Sequence, residues 1–181
     1  VRVSISKSAV TREEGIQFFG LDPAKKTVLS VGGSLGAKSI NEALDKNLEL
    51  FEQNNLQLIW QTGKPYVEKA KHSTKGKPGI WANDFITQME FAYELCVMKK
   101  AVIFVPFPFA AEDHQTVNAQ NLVNKNAGIM IKDGEALALL VPAIIALAKD
   151  ESKQQELKSN ISKLAITNAD EIIATEILKN I

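Results

Sequence analysis

The sequence has 181 residues, and its 21 Lys and Arg residues balance its 21 Asp and Glu residues, so the formal net charge is zero. This balance excludes a strongly basic protein whose overall field attracts nucleic acid or acidic membranes. The single cysteine, Cys96, excludes an internal disulfide, and His72 and His114 have no partners at metal-ligand spacing. The apolar stretches 101–111 and 136–148 are too short to span a bilayer. We expect a cytosolic globular domain with no cleavable leader.

The first residues are typical of a junction between domains. Val1-Arg2-Val3-Ser4-Ile5 predicts a strand, and the sequence has no initiator Met. Thr11 and Glu14 then form a capping-box pattern that predicts the start of a short helix. We expect residues 1–10 to be a junction strand with a domain that precedes this one in a longer polypeptide.

A glycine-rich turn follows the next predicted strand, 27–31. It reads Gly32-Gly33-Ser34-Leu35-Gly36, and a helix is predicted to follow it. This arrangement places backbone N–H groups at a helix N-terminus, where they can hold a phosphate without a charged side chain. The spacing matches neither the G-x-G-x-x-G dinucleotide motif nor a Walker loop, so a plain tight turn is the alternative.

Short β-branched runs alternate with helical patterns along the rest of the chain, which is typical of a parallel sheet with helices on both faces. Strands are predicted at 27–31, 57–61, 79–82, 101–105 and 128–131, and helices at 37–53, 65–72, 87–97, 113–126, 135–148, 152–165 and 168–179. Pro142 is expected to kink its helix or to begin a new one. We predict an α/β, Rossmann-like fold in a single domain, 1–181, that ends in a helix within 168–181.

The ends of the predicted strands carry the candidate site, because ligands of open parallel sheets bind outside the carboxyl ends of the strands. Gln61-Thr62-Gly63 follows the second strand and is interpreted as a structural turn rather than a ligand contact. Ile86 and Met89, at helical spacing after the third strand, would ordinarily belong to the core. Gln115 and Asn118 share one helix face, and this polar pair favours contact with a ligand.

Several of these motifs, in this order, resemble the MurG family of glycosyltransferases. They are Thr27-Val-Leu-Ser-Val-Gly-Gly-Ser-Leu-Gly-Ala37, Gln61-Thr-Gly63, Phe85-Ile-Thr-Gln-Met89, Phe104-Val-Pro106 and Glu112-Asp-His-Gln-Thr-Val-Asn-Ala119. The resemblance covers essentially the whole chain and implies the C-terminal, donor-binding half of a GT-B enzyme. It also implies inverting transfer of N-acetylglucosamine (GlcNAc) from UDP-GlcNAc to undecaprenyl-diphospho-MurNAc-pentapeptide, the lipid II step of peptidoglycan synthesis.

The resemblance implies a role for each matching residue. Gly32, Gly33, Ser34 and Gly36 would face the donor diphosphate. The backbone of Ile86 would recognise uracil with support from Met89, and Glu94 would hold the ribose hydroxyls. His114, Gln115 and Asn118 would contact the sugar and phosphate. No catalytic residue, metal ligand or cofactor is expected in this half.

The resemblance also implies the partners and the location of the whole enzyme. Lipid I would bind through a missing N-terminal domain, and the enzyme would lie peripherally on the cytoplasmic face of the bacterial plasma membrane. The isolated chain would be inactive, and no nucleic acid would be a partner. The alternative function is another UDP-sugar enzyme of the same architecture, such as a UDP-GlcNAc 2-epimerase.

The sequence departs from the family pattern at one place. A βα unit normally separates the Met-x-x-x-Tyr helix from the Glu-Leu-Cys segment, whereas Tyr93 here runs directly into Glu94. Either the protein lacks this unit or the chain is interrupted there, and we expect an interruption. The same departure leaves open whether Glu94 is the ribose carboxylate or a residue of the preceding helix.

Overall fold

The computed structural model describes residues 10–32, 37–96, 100–108 and 114–164. The helices are α1 (Arg12–Phe19), α2 (Lys38–Asp45), α3 (Leu48–Gln53), α4 (Val67–Thr74), α5 (Met89–Cys96), α6 (His114–Val123), α7 (Ala136–Lys149) and α8 (Glu151–Leu164). The strands are β1 (Lys26–Val31), β2 (Leu56–Gln61), β3 (Ile80–Asn83), β4 (Ile103–Phe104) and β5 (Ile129–Met130). Short 3-10 helices cover Lys64–Tyr66 and Asp133–Glu135. The junction strand expected in 1–10 (apart from Val10) and the helix expected in 168–181 lie outside the described residues.

All strand pairs in the described residues are parallel, and they form two sheets. One sheet has the order β1-β2-β3, with Val28 opposite Leu58 and Ile59 opposite Trp81. The other consists of β4 and β5, with Ile103 opposite Ile129. The predicted α/β class is confirmed, and the strands divide between two sheets.

Helices cover both faces of the three-stranded sheet, because successive side chains of a strand point to opposite faces. Leu58 and Trp60 of β2 pack with Leu44, Phe51 and Val141 on one face. Between them in the sequence, Ile59 packs on the other face, and its partners there come from α1, α5 and the loop after β3. These partners include Ile16, Phe19, Ile86, Ala92 and Leu95.

The two-stranded sheet shares one helix layer with the larger sheet. Ile131, Ala136 and Leu140 form the core beside β4, together with Ala43 of α2. Ile40 of α2 and Ile144 of α7 pack against this cluster and also against the core of the larger sheet. Helices α2 and α7 therefore lie across both sheets.

The predicted start of α1 is confirmed. Thr11 Oγ1 accepts the backbone N–H of Glu14 at 3.3 Å, and Glu14 Oε2 accepts the backbone N–H of Thr11 at 2.8 Å. Gly20 ends the helix at φ +63°, a left-handed conformation that glycine adopts without a steric penalty.

The single helix predicted at 37–53 is wrong, because the structure divides it into α2 and α3. The division lies at Asn47, whose Nδ2 donates to the carbonyl of Ala43 at 2.8 Å. Such a bond from an Asn side chain to a carbonyl of the preceding turn competes with helix continuation. Leu44, Leu48 and Phe51 nevertheless remain in one buried cluster.

Helix α7 runs through Pro142 without ending. A new helix beginning at Pro142, one of the two outcomes expected from the sequence, is therefore wrong. Val141 and Ile144, on either side of the proline, pack into the core. This packing outweighs the loss of one helical hydrogen bond.

The chain is continuous between Tyr93 and Glu94, which are successive residues of α5. The expected interruption at this position is wrong. The consequence is a shortened sheet, since no strand of the described residues lies between β3 and β4 in the sequence.

Candidate functional site

The carboxyl ends of β1, β2 and β3 are joined through the side chain of Gln61, the last residue of β2. Its Nε2 donates to the carbonyl of Gly32 at 3.1 Å, and its Oε1 accepts the backbone N–H of Ile86 at 3.1 Å. The side chain is buried, at 4% exposure of the residue. Gln61 therefore fixes the beginning of the glycine turn relative to the loop after β3.

The turn after β2 is bonded to the end of β3. The N–H of Thr62 donates to the carbonyl of Asn83 at 2.9 Å, and the N–H of Gly63 donates to the carbonyl of Asp84 at 3.1 Å. Gly63 has φ +73°, where a side chain would be strained. The interpretation of Gln61-Thr62-Gly63 as a structural turn agrees with these bonds.

Asn41 attaches α2 to the same turn. Its Nδ2 donates to the carbonyl of Thr62 at 2.8 Å, and its Oδ1 accepts the indole N–H of Trp60 at 2.8 Å. The residue is almost completely buried. Because α2 follows the glycine turn, this anchor fixes the direction of the helix N-terminus behind that turn.

The segment after β4 is fixed by Gln115 in the first turn of α6. Gln115 Oε1 accepts the backbone N–H of Phe107 at 3.1 Å. Gln115 and Asn118 both line a cleft that reaches Ser30 and Val31 at the end of β1. The polar face predicted for this helix is thus adjacent to the carboxyl end of β1.

The predicted site residues divide into those that lie on this edge and those outside the described residues. Gly33, Ser34 and Gly36 are outside, whereas Gly32 contacts Gln61. The side chain of Ile86 is buried in the core, and Met89 packs against the same cluster. Glu94 and His114 are exposed. Glu94 does not line the cleft, although Tyr93 and Leu95, its neighbours in α5, do.

Two residues of the site were not identified from the sequence, namely Gln61 as a link between strand ends and Asn41 as an anchor. The available signal is chemical, since both are amide side chains within or next to apolar segments. A buried amide needs hydrogen-bond partners, so such positions indicate a polar link.

A charged cluster lies beside the turn after β2. Tyr66 Oη donates to Asp45 Oδ2 at 2.8 Å, and Lys69 Nζ lies 3.1 Å from the same oxygen. Burial acts to raise the pKa of Asp45, but hydrogen bonds with Ser73, Tyr66 and Lys69 outweigh it and lower that pKa. Burial and the Asp45 carboxylate raise the pKa of Tyr66. The cluster attaches the 3-10 helix at Tyr66 to the end of α2.

Within 10–32, 37–96, 100–108 and 114–164, no helix is long and apolar enough to cross a membrane. The same described ranges contain no group of three His, Cys, Asp or Glu residues that could hold a metal ion.

The chain is similar to known glycosyltransferases in sequence. A family model described as "Glycosyltransferase family 28 C-terminal domain" matches residues 27–95 and 91–174. A Parabacteroides distasonis protein is 40% identical over 197 residues, which cover 99% of this chain and 54% of that protein. Its name is UDP-N-acetylglucosamine--N-acetylmuramyl-(pentapeptide) pyrophosphoryl-undecaprenol N-acetylglucosamine transferase. The protein of that name in Flavobacterium psychrophilum is 39% identical over 184 residues, which cover 93% of this chain and 50% of that protein.

The two matches to the family model meet at residues 91–95, which indicates an interruption of the family pattern there. The alignment with the P. distasonis protein has 197 positions, at least 16 more than the 181 residues of this chain. This relative therefore has residues that the chain lacks. The departure from the family pattern noted at Tyr93 and Glu94 is confirmed.

The structural comparison agrees with the sequence comparisons. The crystal structure of Acinetobacter baumannii MurG matches 95% of this chain with a TM-score of 0.69 and 26% sequence identity, and the match covers 54% of that protein. The chain spans about half the length of the relatives that it matches. The resemblance to MurG is therefore confirmed. The chain belongs to glycosyltransferase family 28, and it corresponds to the C-terminal domain of that family.

Proposed function

We propose that this chain is the donor-nucleotide-binding half of an inverting glycosyltransferase of peptidoglycan synthesis. The whole enzyme transfers GlcNAc from UDP-GlcNAc to undecaprenyl-diphospho-MurNAc-pentapeptide. The observation that carries the proposal is the double link through Gln61, from Gly32 of the glycine turn to Ile86 of the loop after β3. One of these two segments is suited to a diphosphate and the other to a flat base.

The diphosphate binds to backbone N–H groups of the glycine turn, with Gly32, Gly33, Ser34 and Gly36 as its residues. In support, α2 begins at Lys38, directly after the turn. The positive end of its dipole and the N–H groups of its first turn favour an anion at this point. The buried Asn41 keeps this helix end in place through Thr62 and Trp60.

The uridine binds along the loop after β3 and the start of α5. Ile86 offers its backbone to the uracil edge, and Met89 supports the segment from the core side. The Ile86 N–H is occupied by Gln61. Base recognition through this N–H therefore requires Gln61 to release it or to share it. Glu94 is proposed as the ribose ligand because a carboxylate accepts two hydroxyl donors at once.

The sugar and the nearer phosphate contact the N-terminal part of α6. His114, Gln115 and Asn118 are the proposed residues, and Gln115 and Asn118 line the cleft beside the end of β1. These groups stabilise the departing UDP diphosphate while the acceptor hydroxyl attacks C1 of GlcNAc. The general base for that hydroxyl belongs to the other half of the enzyme.

The remaining partners belong to the whole enzyme. We propose that lipid I binds through an N-terminal domain that residues 1–10 join to this one. The whole enzyme then lies on the cytoplasmic face of the plasma membrane, where the undecaprenyl acceptor is anchored. This proposal is supported by the relatives, of which the chain covers about half.

Calorimetric titration of the chain with UDP, UDP-GlcNAc and ADP tests the proposal. We expect weak binding of both uridine ligands and at least about tenfold weaker binding of ADP, a difference of about 1.4 kcal/mol. Equal affinity for UDP and ADP would contradict uracil recognition. In the whole enzyme, UDP release that requires lipid I distinguishes a transferase from an epimerase, which needs no acceptor.

A matched pair of glycine variants tests the position of the diphosphate. Gly33→Val should remove UDP binding because the side chain blocks the approach of phosphate to the turn. Gly134→Val is the control, since a Cβ at Gly134 meets nothing within 4 Å. Circular dichroism establishes that both variants are folded. Unchanged UDP affinity in folded Gly33→Val would contradict the assignment.

A further inference from the structure

A serine in the first turn of α2 is bonded to a carboxylate from a distant part of the chain. The hydroxyl of Ser39 donates to Asp133 Oδ1, and the two residues are 94 positions apart in the sequence. Both residues are half-buried. Ser39 is the second residue of α2, which begins at Lys38 directly after the glycine turn. Asp133 therefore lies beside the helix end to which we assign the donor diphosphate.

The position of Asp133 is determined by its own segment. Asp133 begins the second 3-10 helix, and its carbonyl accepts the backbone N–H of Ala136. Ala136 is completely buried, and it belongs to the same apolar cluster as Ala43 of α2. The segment is thus attached to α2 by apolar packing and by the bond to Ser39. Its carboxylate consequently stays beside the first turn of the helix.

Helix α2 supplies neither a cap nor a negative charge to its own N-terminus. Ala37, at the N-cap position, makes no side-chain hydrogen bond, and the first turn contains no acidic residue. The carboxylate at this end comes from Asp133 instead. A negative charge beside a helix N-terminus is stabilised by the positive end of the dipole. It also reduces the attraction that the same helix end offers to an incoming phosphate.

The charge of Asp133 is not compensated by a neighbouring cation. Within the ranges that the structure describes, Asp133 has no ion-pair partner. Lys38 lies 4.0 Å from Glu42 of the same helix, and Lys132 is exposed. Glu135 adds a second, exposed carboxylate to the 3-10 helix. The field beside the start of α2 therefore disfavours ligands that carry additional negative charge.

The donor and the product of the proposed reaction differ in charge. Both phosphates of UDP-GlcNAc are esterified, so its diphosphate carries about two negative charges. The terminal phosphate of UDP is a monoester with a second pKa of about 6, which adds about one more negative charge at pH 7.5. This charge appears on the phosphate that was bonded to the sugar. A carboxylate near the diphosphate therefore repels the product more strongly than the donor.

We propose that Asp133, held by Ser39, is a specificity-determining residue of the donor site that favours UDP-GlcNAc over UDP. It acts through the charge of its carboxylate and forms no bond with the ligand. The residue thereby promotes the release of UDP after the sugar has been transferred. This inference rests on the proposed function, because it requires the diphosphate to bind at the glycine turn.

A merely structural role of the same bond makes a different prediction. If the bond between Ser39 and Asp133 only keeps α2 in place, its loss weakens the binding of both ligands by the same factor. The two roles are distinguished by the dissociation constant of UDP divided by that of UDP-GlcNAc. We call this quotient the selectivity ratio. A structural role leaves the selectivity ratio unchanged, whereas repulsion by the carboxylate raises it in the parent chain.

Asp133→Asn removes the charge and keeps an oxygen that accepts the Ser39 hydroxyl. Calorimetric titration of the 181-residue chain at pH 7.5 should show tighter binding of UDP. The selectivity ratio should fall at least about threefold, which is typical of an interaction between exposed unit charges. Circular dichroism establishes that the variant is folded. An unchanged selectivity ratio in folded Asp133→Asn would overturn the proposal.

Glu135→Gln is the matched control, because it removes one negative charge from an exposed position of the same 3-10 helix. Its selectivity ratio should fall by a clearly smaller factor, since Glu135 is not bonded to α2. An equal fall in both variants would show that the net charge of the domain, rather than the carboxylate beside Ser39, is responsible. That result would also overturn the proposal.

The pH dependence gives a second measure of the same repulsion. At pH 5 the terminal phosphate of UDP has lost most of its additional charge, so the parent and Asp133→Asn should have nearly the same selectivity ratio. Histidine also changes charge between pH 5 and pH 8, and His114 is a proposed phosphate contact. Its effect is common to both proteins and cancels when they are compared at each pH. A difference that persists unchanged at pH 5 would contradict repulsion of the terminal phosphate.

Ser39→Ala tests the bond without removing the carboxylate, and it serves as the second variant if Asp133→Asn does not fold. Asp133 is then no longer held against α2, so the selectivity ratio should fall, by a smaller factor than in Asp133→Asn. Equal weakening of both ligands in Ser39→Ala would establish the structural role and overturn the proposal.

The glycine variant separates failure of this inference from failure of the proposed function. Loss of UDP binding in Gly33→Val together with an unchanged selectivity ratio in Asp133→Asn would overturn the role of Asp133 alone. Absence of UDP binding by the parent chain would contradict the proposed function, and this inference with it.

Discussion

The carboxamide oxygen of Gln61 accepts the backbone N–H of Ile86 at 3.1 Å. The same side chain donates to the carbonyl of Gly32, so one residue of β2 determines the separation of the segments on both sides of it. The two backbone groups belong to the segments to which we assign the phosphate and the base. Order at this edge therefore depends on a side chain that makes no proposed contact with the ligand.

Replacement of Gln61 by Leu should lower both stability and UDP affinity. The substitution leaves the Ile86 N–H and the Gly32 carbonyl without their partner, and each such loss costs about 1–3 kcal/mol when the group is buried. Urea denaturation and calorimetry measure the two effects. Gln53→Leu, at an exposed position, is the control and should change neither. Normal UDP affinity in folded Gln61→Leu would remove Gln61 from the donor site.

The sequence predicts the layers of this fold well because burial on both faces leaves a clear pattern. Leu58, Ile59 and Trp60 are all apolar, and the structure places them alternately in the two cores. The break at Asn47 is not predictable from periodicity. Leu44, Leu48 and Phe51 keep the helical spacing across it and remain in one cluster. A local side-chain hydrogen bond determines the break.

The site is less predictable than the fold because its links join distant residues. Gln61 bonds to residues 29 and 25 positions away, and nothing in a local motif identifies those partners. The glycine turn and the pair of Gln115 and Asn118 could be predicted, because the residues that form each of them are close together in the sequence.

Asp45→Asn should destabilise the chain at neutral pH by about 1–3 kcal/mol, because Tyr66 Oη and Lys69 lose a charged acceptor. The folded pKa of Asp45 is lowered from 3.8. Its contribution to stability is therefore fully present above that value and is lost as the pH falls through the folded pKa. Urea denaturation from pH 7 to pH 2 should give a weaker acid dependence for the variant than for the parent.

Glu68→Gln is the control for Asp45→Asn, because Glu68 is exposed and lies in α4 close to Lys69 in the sequence. It should leave both the stability at pH 7 and its acid dependence unchanged within about 0.5 kcal/mol. An identical loss of acid dependence in the two variants would show that general charge, rather than the Asp45 cluster, is responsible.

Gly128→Ala should destabilise the two-stranded sheet. A Cβ at Gly128 would lie 2.5 Å from Cε2 of Phe104 in β4. Overpacking of this kind typically costs about 1–3 kcal/mol. Gly134→Ala, where a Cβ meets nothing within 4 Å, should stay within about 0.5 kcal/mol of the parent. Thermal and urea denaturation measure both.

A double variant distinguishes this clash from a general effect of alanine. Phe104→Leu removes the ring that the new Cβ would meet, so Gly128→Ala should cost less in that background. A double-mutant cycle measures the difference as a coupling energy. If Gly128→Ala costs the same in both backgrounds, Phe104 is not the cause.

The isolated chain should bind UDP-GlcNAc without transferring its sugar. The proposed site supplies donors for the diphosphate and no general base for the acceptor hydroxyl, and proton removal from that hydroxyl normally contributes a factor of about 10²–10⁴ to the rate. Incubation with radiolabelled UDP-GlcNAc and lipid I, with product extracted into an organic phase, measures transfer. UDP binding in the same preparation establishes that the site is folded.

In the whole enzyme, we expect EDTA to leave transfer unchanged, because diphosphate binding relies on backbone N–H groups and not on a bridging cation. Transfer by these 181 residues alone would place the base among them. Strict dependence of the whole enzyme on Mg²⁺ would contradict phosphate binding by the glycine turn.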